Sequence, residues 1–434
     1  MPHQNLPPAH PQRAALHNEI HARPPEALSA PLAISHIVMT CDAAAREASR
    51  AHLASLLRDH HLPLPDAEST HLRLDVGGIR LRWELHTEFV TYTFTRTLGP
   101  DLEQALGGGR EPATALDAVP RDWLGALPGH CLASLHLWVL PVNGGHPHAL
   151  VKPLLREDTL VASTVADGLG EVYTDFAIHA DGCSRMVLLA GSVTPRRLGR
   201  LVQQLLEIET YRMAALLGLP AAREAAAVLG YAERELAELA EAIRVAARHD
   251  EPLLLDRLTR LAGQVESQYA ATHSRFSASA AYFELVDRRI RDIAESRLAG
   301  LQTIGEFMDR RLTPARSTCE WAVRRQDALS QRVSRMSNLL RTRVEIEQQQ
   351  SSQALLATMN QRQGLQLQLQ STVEGLSVAA ITYYIVGLVS YLAKGAHAIG
   401  WPWSPESTAA CAIPVVAFSV WWSLRRLHHR LFKH

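Results

Sequence analysis

Charge of one sign is what this sequence lacks most plainly. Its 44 Lys and Arg residues balance 44 Asp and Glu residues, so the net charge is zero. That balance excludes a chain built to coat a polyanion, and no nucleic-acid partner is expected. Cysteine is scarce as well: Cys41, Cys131, Cys183, Cys319 and Cys411 are scattered, odd in number, and contain no Cys-x-x-Cys pair. This argues against a disulfide framework or a structural zinc site and fits a reducing compartment. The opening MPHQNLPPAHPQRAALHNE has no apolar run, so no secretory signal is read there. Gly107-Gly108-Gly109 lacks the Lys-Ser/Thr ending of a phosphate loop. Neither Gly-x-Ser-x-Gly nor His-Glu-x-x-His occurs. On these grounds no catalytic residue, metal or cofactor is assigned, and the expectation is a protein that is not an enzyme. A hydrophobic fraction of 47% is ordinary for a globular chain and low for a polytopic transporter, so any membrane part must be local.

Two such local stretches are present. Gly375–Ala393 reads GLSVAAITYYIVGLVSYLA, without a charge. About 20 residues at 1.5 Å each cross a bilayer core of roughly 30 Å. A second uncharged run, Ser407–Leu424, carries Pro414, which a membrane helix tolerates by kinking. Trp401, Trp403, Trp421 and Trp422 fall near the ends of these runs, where interfacial anchors sit. The link Lys394–Glu406 holds Gly395, Gly400, Pro402 and Pro405 and reads as a turn. The basic tail RRLHHRLFKH from Arg425 should stay cytoplasmic, and two spans return the body to the same side. The expected location is the bacterial inner membrane, with the lipid bilayer as a partner and both body and tail cytoplasmic.

Between Pro314 and Pro402 there is no proline, and Ala315–Ala393 could be one helix. Leu329, Val333, Met336, Leu340 and Val344 form an apolar stripe at three- and four-residue steps. It fades across Glu345–Gln353 and returns at Leu355, Met359, Gln366, Leu369, Val373 and Leu376. Leu253–Leu312 reads as another helix, with Thr313-Pro314 as the break that folds the two back as an antiparallel hairpin. Shorter helices are expected over Ala221–Ala247 and over Arg196–Leu217, the latter closing at Gly218.

Before residue 195 the texture changes. Ala33–Met39, Phe89–Thr95, Cys131–Leu140, Val172–Ile178 and Met186–Ala190 read as strands. Leu72–Asp75 and Ile79–Glu84 form a hairpin around Gly77-Gly78, and Asp42–Leu57 reads as a helix. The fold class is therefore α+β: a mixed α/β N-terminal domain, a long antiparallel helical hairpin or coiled coil, and two C-terminal transmembrane helices. The segments are 1–30 (extended), 31–195 (α/β), 196–372 (long helices), 373–424 (membrane hairpin) and 425–434 (basic tail).

Three motifs gather histidines and carboxylates. The first runs from His17 to Pro25 and holds Glu19, His21 and Arg23. The second, Arg82–Phe89, holds Arg82, Glu84, His86 and Glu88. The third, Asp175–Gly182, holds Asp175, His179 and Asp181. Such groups bind ligands or move protons only where they converge in space. His17, Glu19 and His21 share a side only in an extended segment. Glu84, His86 and Glu88 would share one strand face, opposite Leu85, Thr87 and Phe89. That face is either a ligand-binding wall or a solvated, ion-paired side of the sheet. In the first apolar run Ser377, Thr382, Tyr384, Gly387 and Tyr391 are candidates for helix packing or for a pore lining, and small residues such as Gly387 permit close approach.

HNEIHARPPEAL (His17–Leu28), RWELHTEFVTYTFTR (Arg82–Arg96) and TVEGLSVAAITYYIVGLVSYLAKG (Thr372–Gly395) together resemble a bacterial family catalogued as domain of unknown function 3422. The resemblance runs along nearly the whole chain. It implies membrane anchoring and no assigned activity, and it draws attention to Glu19, His21, Arg23, Glu84, His86 and Glu88. In organisation alone the chain is also similar to CorA-type magnesium channels. Their Gly-Met-Asn motif is missing here, and Tyr391-Leu392-Ala393-Lys394-Gly395 places a lysine where a cation would enter. The expectation is a membrane-tethered, homo-oligomeric scaffold or interaction module. A CorA-like channel is the alternative, and a cytoplasmic-face enzyme using the His and Glu motifs stands last.

Overall fold

The computed structural model describes residues 9–14, 16–17, 24–66, 68–99, 110–142, 151–400 and 402–431. Its chain falls into two compact units, one made of residues 1–246 with 256–335, the other of 247–255 with 336–434.

The first unit is organised by a mixed nine-stranded sheet of order β2-β3-β4-β1-β5-β8-β7-β6-β9. The strands are β1 Leu32–Thr40, β2 His71–Val76, β3 Ile79–Leu85, β4 Phe89–Thr97, β5 His130–Leu140, β6 Val161–Val165, β7 Gly170–Thr174, β8 Ser184–Leu189 and β9 Ser296–Arg297. Neighbours run antiparallel except β5 and β8, which are parallel. Helices of this unit are α1 Ala43–Asp59, α2 Arg121–Gly125, α3 Pro195–Leu216 and α4 Gly218–Val245. It also takes most of α5 Glu251–Asp292 and the start of α6 Ile304–Ala398.

Alternation along the strands sends successive side chains to opposite faces. Ile79, Leu81, Trp83, Leu85, Val90, Tyr92 and Phe94 bury on one face with Leu53, Leu56 and Leu57 of α1 and with Trp123. The other face is divided. Leu32, Ile34, Leu137, Met186 and Leu188 meet Leu198, Leu201, Val202, Leu205 and Ile208 of α3 in an apolar core that also takes in Phe283 and Val286 of α5 and Met308 of α6. Towards β3 and β4 the same face turns polar, and α3 answers with Gln203, Glu207 and Thr210 on its neighbouring flank. The helix thus lies along the boundary between an apolar and a polar half-face, and its three- and four-residue steps serve both.

Within the first unit α5 and α6 are antiparallel partners. Arg316 reaches Asp287 at 2.8 Å, and further along the buried Gln326 amide donates to Thr272 at 2.8 Å. The break between them is not at Thr313-Pro314. α5 ends at Asp292, Ala294 adopts a left-handed φ of 48°, and Ser296-Arg297 pair with β6. Glu295 then caps the start of α6, accepting from the backbone N–H groups of Ile304 and Gly305. Pro314 sits inside α6 on its exposed side, where its ring meets no packed neighbour helix and the carbonyl one turn back loses only its helical partner.

Strand β7 stops at Thr174 rather than Ile178, because the Asp175 carboxylate takes the N–H of Ala177 and turns the chain. In the N-terminal segment Arg13, Ala14, Leu16 and His17 are helical. The second unit contains the rest of α6 and helix α7, Pro405–Leu431. Three helical runs are long and apolar enough to cross a membrane: Pro195–Val245, Ile304–Ala396 and Pro405–Arg426. The first packs a third of its apolar window inside the protein, whereas the windows in the other two have almost no buried residues.

Candidate functional site

The polar half-face under α3 encloses a cavity of about 150 Å³. β1 contributes His36, β3 Arg82 and Glu84, the β3–β4 turn His86, β4 Thr91 and Thr93, and α3 Gln203, Glu207, Thr210 and Tyr211. The reason is pleat register: Arg82 pairs with Thr93, Glu84 with Thr91, and His36 with Thr93, all on one side of the sheet.

Hydrogen bonds settle the state of His36. Thr210 Oγ1 donates to the Leu206 carbonyl at 2.9 Å, so it accepts from His36 Nε2 at 2.9 Å. Nδ1 is then the acceptor, and the Thr93 hydroxyl donates to it at 2.8 Å. Burial, reinforced by the positive charge of Arg82 and by His86, pushes the His36 pKa down to about 3. His36 is a neutral imidazole bridging sheet and helix.

Charge around it is largely matched. Arg82 donates to Glu84 at 2.7 Å and reaches Gln203 at 3.5 Å. Gln203 donates to Glu207 at 2.8 Å, and Glu207 also receives Arg289 from α5. Thr91 Oγ1 is buried at the cavity wall without a hydrogen-bond partner. Glu88 lies in the β3–β4 turn, not on a strand face with Glu84 and His86. Its Oε2 accepts from Arg275 at 2.9 Å and from Tyr282 at 3.0 Å. It borders a second cleft, of about 470 Å³, beside Thr40, Asp42 and His130.

The structure brings the end of the first motif to this same region. Glu26 pairs with Arg73 at 3.0 Å and with Arg80 at 3.4 Å, and the Pro24 carbonyl accepts from Arg73. Glu19, His21 and Arg23 lie outside the described residues.

Asp175 and Asp181 belong to another network. The Asp175 carboxylate, buried at 3% exposure for the residue, meets His179 Nε2 at 2.8 Å and accepts the N–H of Arg156 at 3.0 Å. Asp181 accepts from Arg185 at 3.2 Å and from the Cys183 N–H at 2.9 Å, and these contacts hold its carboxyl below the usual carboxylate range despite its burial. Arg185 also forks onto Glu111. On the neighbouring strands the Ser35 hydroxyl and His136 Nδ1 are 2.8 Å apart, and burial lowers the His136 pKa. Among the described residues no group of three or more His, Cys, Asp or Glu could hold a metal ion.

The reading of the sequence missed His36, Gln203, Glu207, Arg275 and Tyr282. The adjacent Ser35-His36 in an otherwise apolar strand was the available signal: two buried polar groups on opposite faces each need a partner. In the second unit Ser377 Oγ donates to the Val373 carbonyl and Thr382 Oγ1 to that of Val378, so both hydroxyls are satisfied within their own helix. Tyr384 and Tyr391 are exposed, and Gly387 has open space around its Cα.

No curated protein and no solved structure matches the chain. One family profile does, over residues 8–431, and it is described as a protein of unknown function, DUF3422. With nearly its whole length matched, the chain belongs to the DUF3422 family.

Proposed function

We propose that this protein is a membrane-anchored, homo-oligomeric scaffold or interaction module of the bacterial inner membrane, with its sheet-bearing body and basic tail in the cytoplasm. The carrying observation is helix α6. It starts at Ile304, buried in the core of the first unit, and continues unbroken through the uncharged run Gly375–Ala393. In that run and in α7, Leu388, Leu392, Val415 and Phe418 are 55–75% exposed. A water-soluble protein rarely leaves so much contiguous apolar surface uncovered, and a bilayer covers it. The Pro195–Val245 run is served otherwise, since α3 spends its apolar side on the sheet.

The body carries no chemistry in this reading. Arg82, Glu84, Gln203, Glu207 and Arg289 engage one another and support a rigid module rather than a reacting centre. The test is extraction of isolated membranes at alkaline pH, combined with protease treatment of right-side-out and inverted vesicles. The protein should stay in the pellet, and its body should be digested only in inverted vesicles. Release into the supernatant would remove the anchor, and digestion from the outer side would reverse the orientation.

A further inference from the structure

Helix α7 passes without interruption from the uncharged run Ser407–Leu424 into a basic segment that starts at Arg425. In the first unit arginines are matched side chain to side chain: Arg185 forks onto Glu111, Arg212 onto Glu209 and Arg325 onto Glu233. The end of α7 has no such match. Arg425, Arg426, Arg430 and Lys433 are all cationic, and from Ser407 onward the sequence holds no Asp or Glu. Arg425 and Arg426 are exposed. The Arg425 guanidinium lies over the Trp421 ring, 5.0 Å from its centroid, which sets the first cation against an aromatic of the interfacial kind.

Spacing gives this segment two faces. At about 100° per residue, Arg425, Arg426, His429 and Arg430 fall within one arc of α7, and Leu424, Leu427 and Leu431 fall on the opposite side. Length sets the depth. Ser407–Leu424 at 1.5 Å per residue covers about 27 Å, close to the roughly 30 Å of a hydrocarbon core. From Arg425 to Arg430 the helix then rises about 8 Å, the depth of a headgroup layer. Lipid phosphates already stand at that level, whereas a soluble polyanion would have to displace them to reach Arg425 and Arg426. Guanidinium forks hold phosphate oxygens by parallel hydrogen bonds. In phosphatidylcholine the phosphate is answered by the lipid's own ammonium group, and in an anionic phospholipid it is not. An unmatched basic face at this depth therefore selects the anionic headgroup.

We propose that, given the membrane reading above, the basic face of α7 from Arg425 onward binds the phosphates of anionic phospholipids and gathers these lipids around the membrane hairpin. The experiment uses the full-length protein in mixed vesicles of phosphatidylcholine and phosphatidylglycerol. Bromine is placed high on the acyl chains of one lipid or the other, at equal fraction, and quenches nearby tryptophan fluorescence. Subtracting the signal of a Trp421→Phe, Trp422→Phe variant isolates the two rings one turn before Arg425. Brominated phosphatidylglycerol should quench them about two- to threefold more than brominated phosphatidylcholine. Arg425→Gln, Arg426→Gln, Arg430→Gln and Lys433→Gln together should bring the ratio to one. Raising the salt from about 0.1 M to about 1 M, which shortens the screening length from about 10 Å to about 3 Å, should do most of the same with no substitution.

Equal quenching by the two lipids in the unaltered protein would overturn the lipid preference and leave the anchor standing. Quenching by neither lipid would remove the anchor and the preference together. A ratio that survives the four substitutions would place any lipid selectivity outside this face. A ratio untouched by salt would show that charge does not set it. Loss of the preference on adding poly-glutamate at matched charge would assign the face to a soluble acidic partner instead.

Discussion

His36 and Thr210 stand 174 residues apart in the chain, and their side chains meet at 2.9 Å across the interface of β1 and α3. The imidazole is neutral there, with a pKa near 3 against 6.5 for a free histidine. On unfolding it regains the ordinary value, so the unfolded state binds the proton first. The stabilisation is whole above about pH 6.5 and drains away as pH falls towards 3. Between pH 7.5 and pH 5 this group alone should remove about 2 kcal/mol. His136, also lowered by burial, adds to the same trend. Thermal unfolding of the detergent-solubilised protein should show the loss, and His36→Asn should flatten the acid limb while lowering stability at neutral pH. An unchanged slope in that variant would place the acid sensitivity elsewhere.

Gly199 and Gly230 predict opposite outcomes for one substitution. A Cβ on Gly199 would stand 1.5 Å from the Glu26 carbonyl oxygen, where the N-terminal segment crosses α3. Gly199→Ala must push that segment away, loosening the Leu28 N–H bond to the Pro195 carbonyl and the Glu26–Arg73 pair. A loss of about 1–3 kcal/mol is expected. At Gly230 the nearest atoms are arginine side-chain ends, at 3.5 Å and beyond, so Gly230→Ala should be neutral or stabilising by up to about 1 kcal/mol. Unfolding midpoints of the two variants provide the check.

Gln326 and Thr272 form a buried polar pair between α6 and α5 in the first unit. Thr272→Val strands the Gln326 amide and should cost about 1–3 kcal/mol. Thr272→Val combined with Gln326→Met removes both polar groups and should recover most of the loss. A double variant as unstable as the sum of the two singles would show that the pair is not coupled.

Glu88 holds Arg275 and Tyr282 on a single oxygen. Burial raises the Tyr282 pKa first, and the Glu88 charge raises it further. Glu88→Gln should therefore move the tyrosine titration back towards the ordinary value, as read by ultraviolet difference spectroscopy against Tyr282→Phe. Glu88→Ala should destabilise the body by about 1–2 kcal/mol, since Arg275 Nε is already buried without a partner. No movement of the titration would mean the carboxylate is screened from the phenol.

Local patterns read well from the sequence where a single element decides them. The alternation in Phe89–Thr95, the Gly77-Gly78 turn and the capping Asp42 each announce their structure, and β4, the β2–β3 hairpin and α1 stand there. What was not legible depends on distant partners. Nothing local marks the chain break after Asp292, because it is made by β6 pairing with Ser296-Arg297 and by Glu295 capping α6. Pro314 invited a break that its exposed position makes unnecessary. The polar wall of Arg82 and Glu84 could be seen in β3, but its covering flank, Gln203 and Glu207, carries the helical periodicity of α3 and no mark of the sheet half-face it meets.

The two margins of the sheet limit how copies of this protein can meet. At one margin β2 alternates His71, Arg73 and Asp75, and the N-terminal segment is tied down there through Glu26 and Pro24. At the other, β9 is only Ser296-Arg297, too short to template a further strand. Strand addition from a neighbour is therefore disfavoured at both margins. Edge-to-edge growth into a cross-β aggregate, the hazard that an open sheet carries, is thereby held off by the N-terminal tie at one side and by the shortness of β9 at the other.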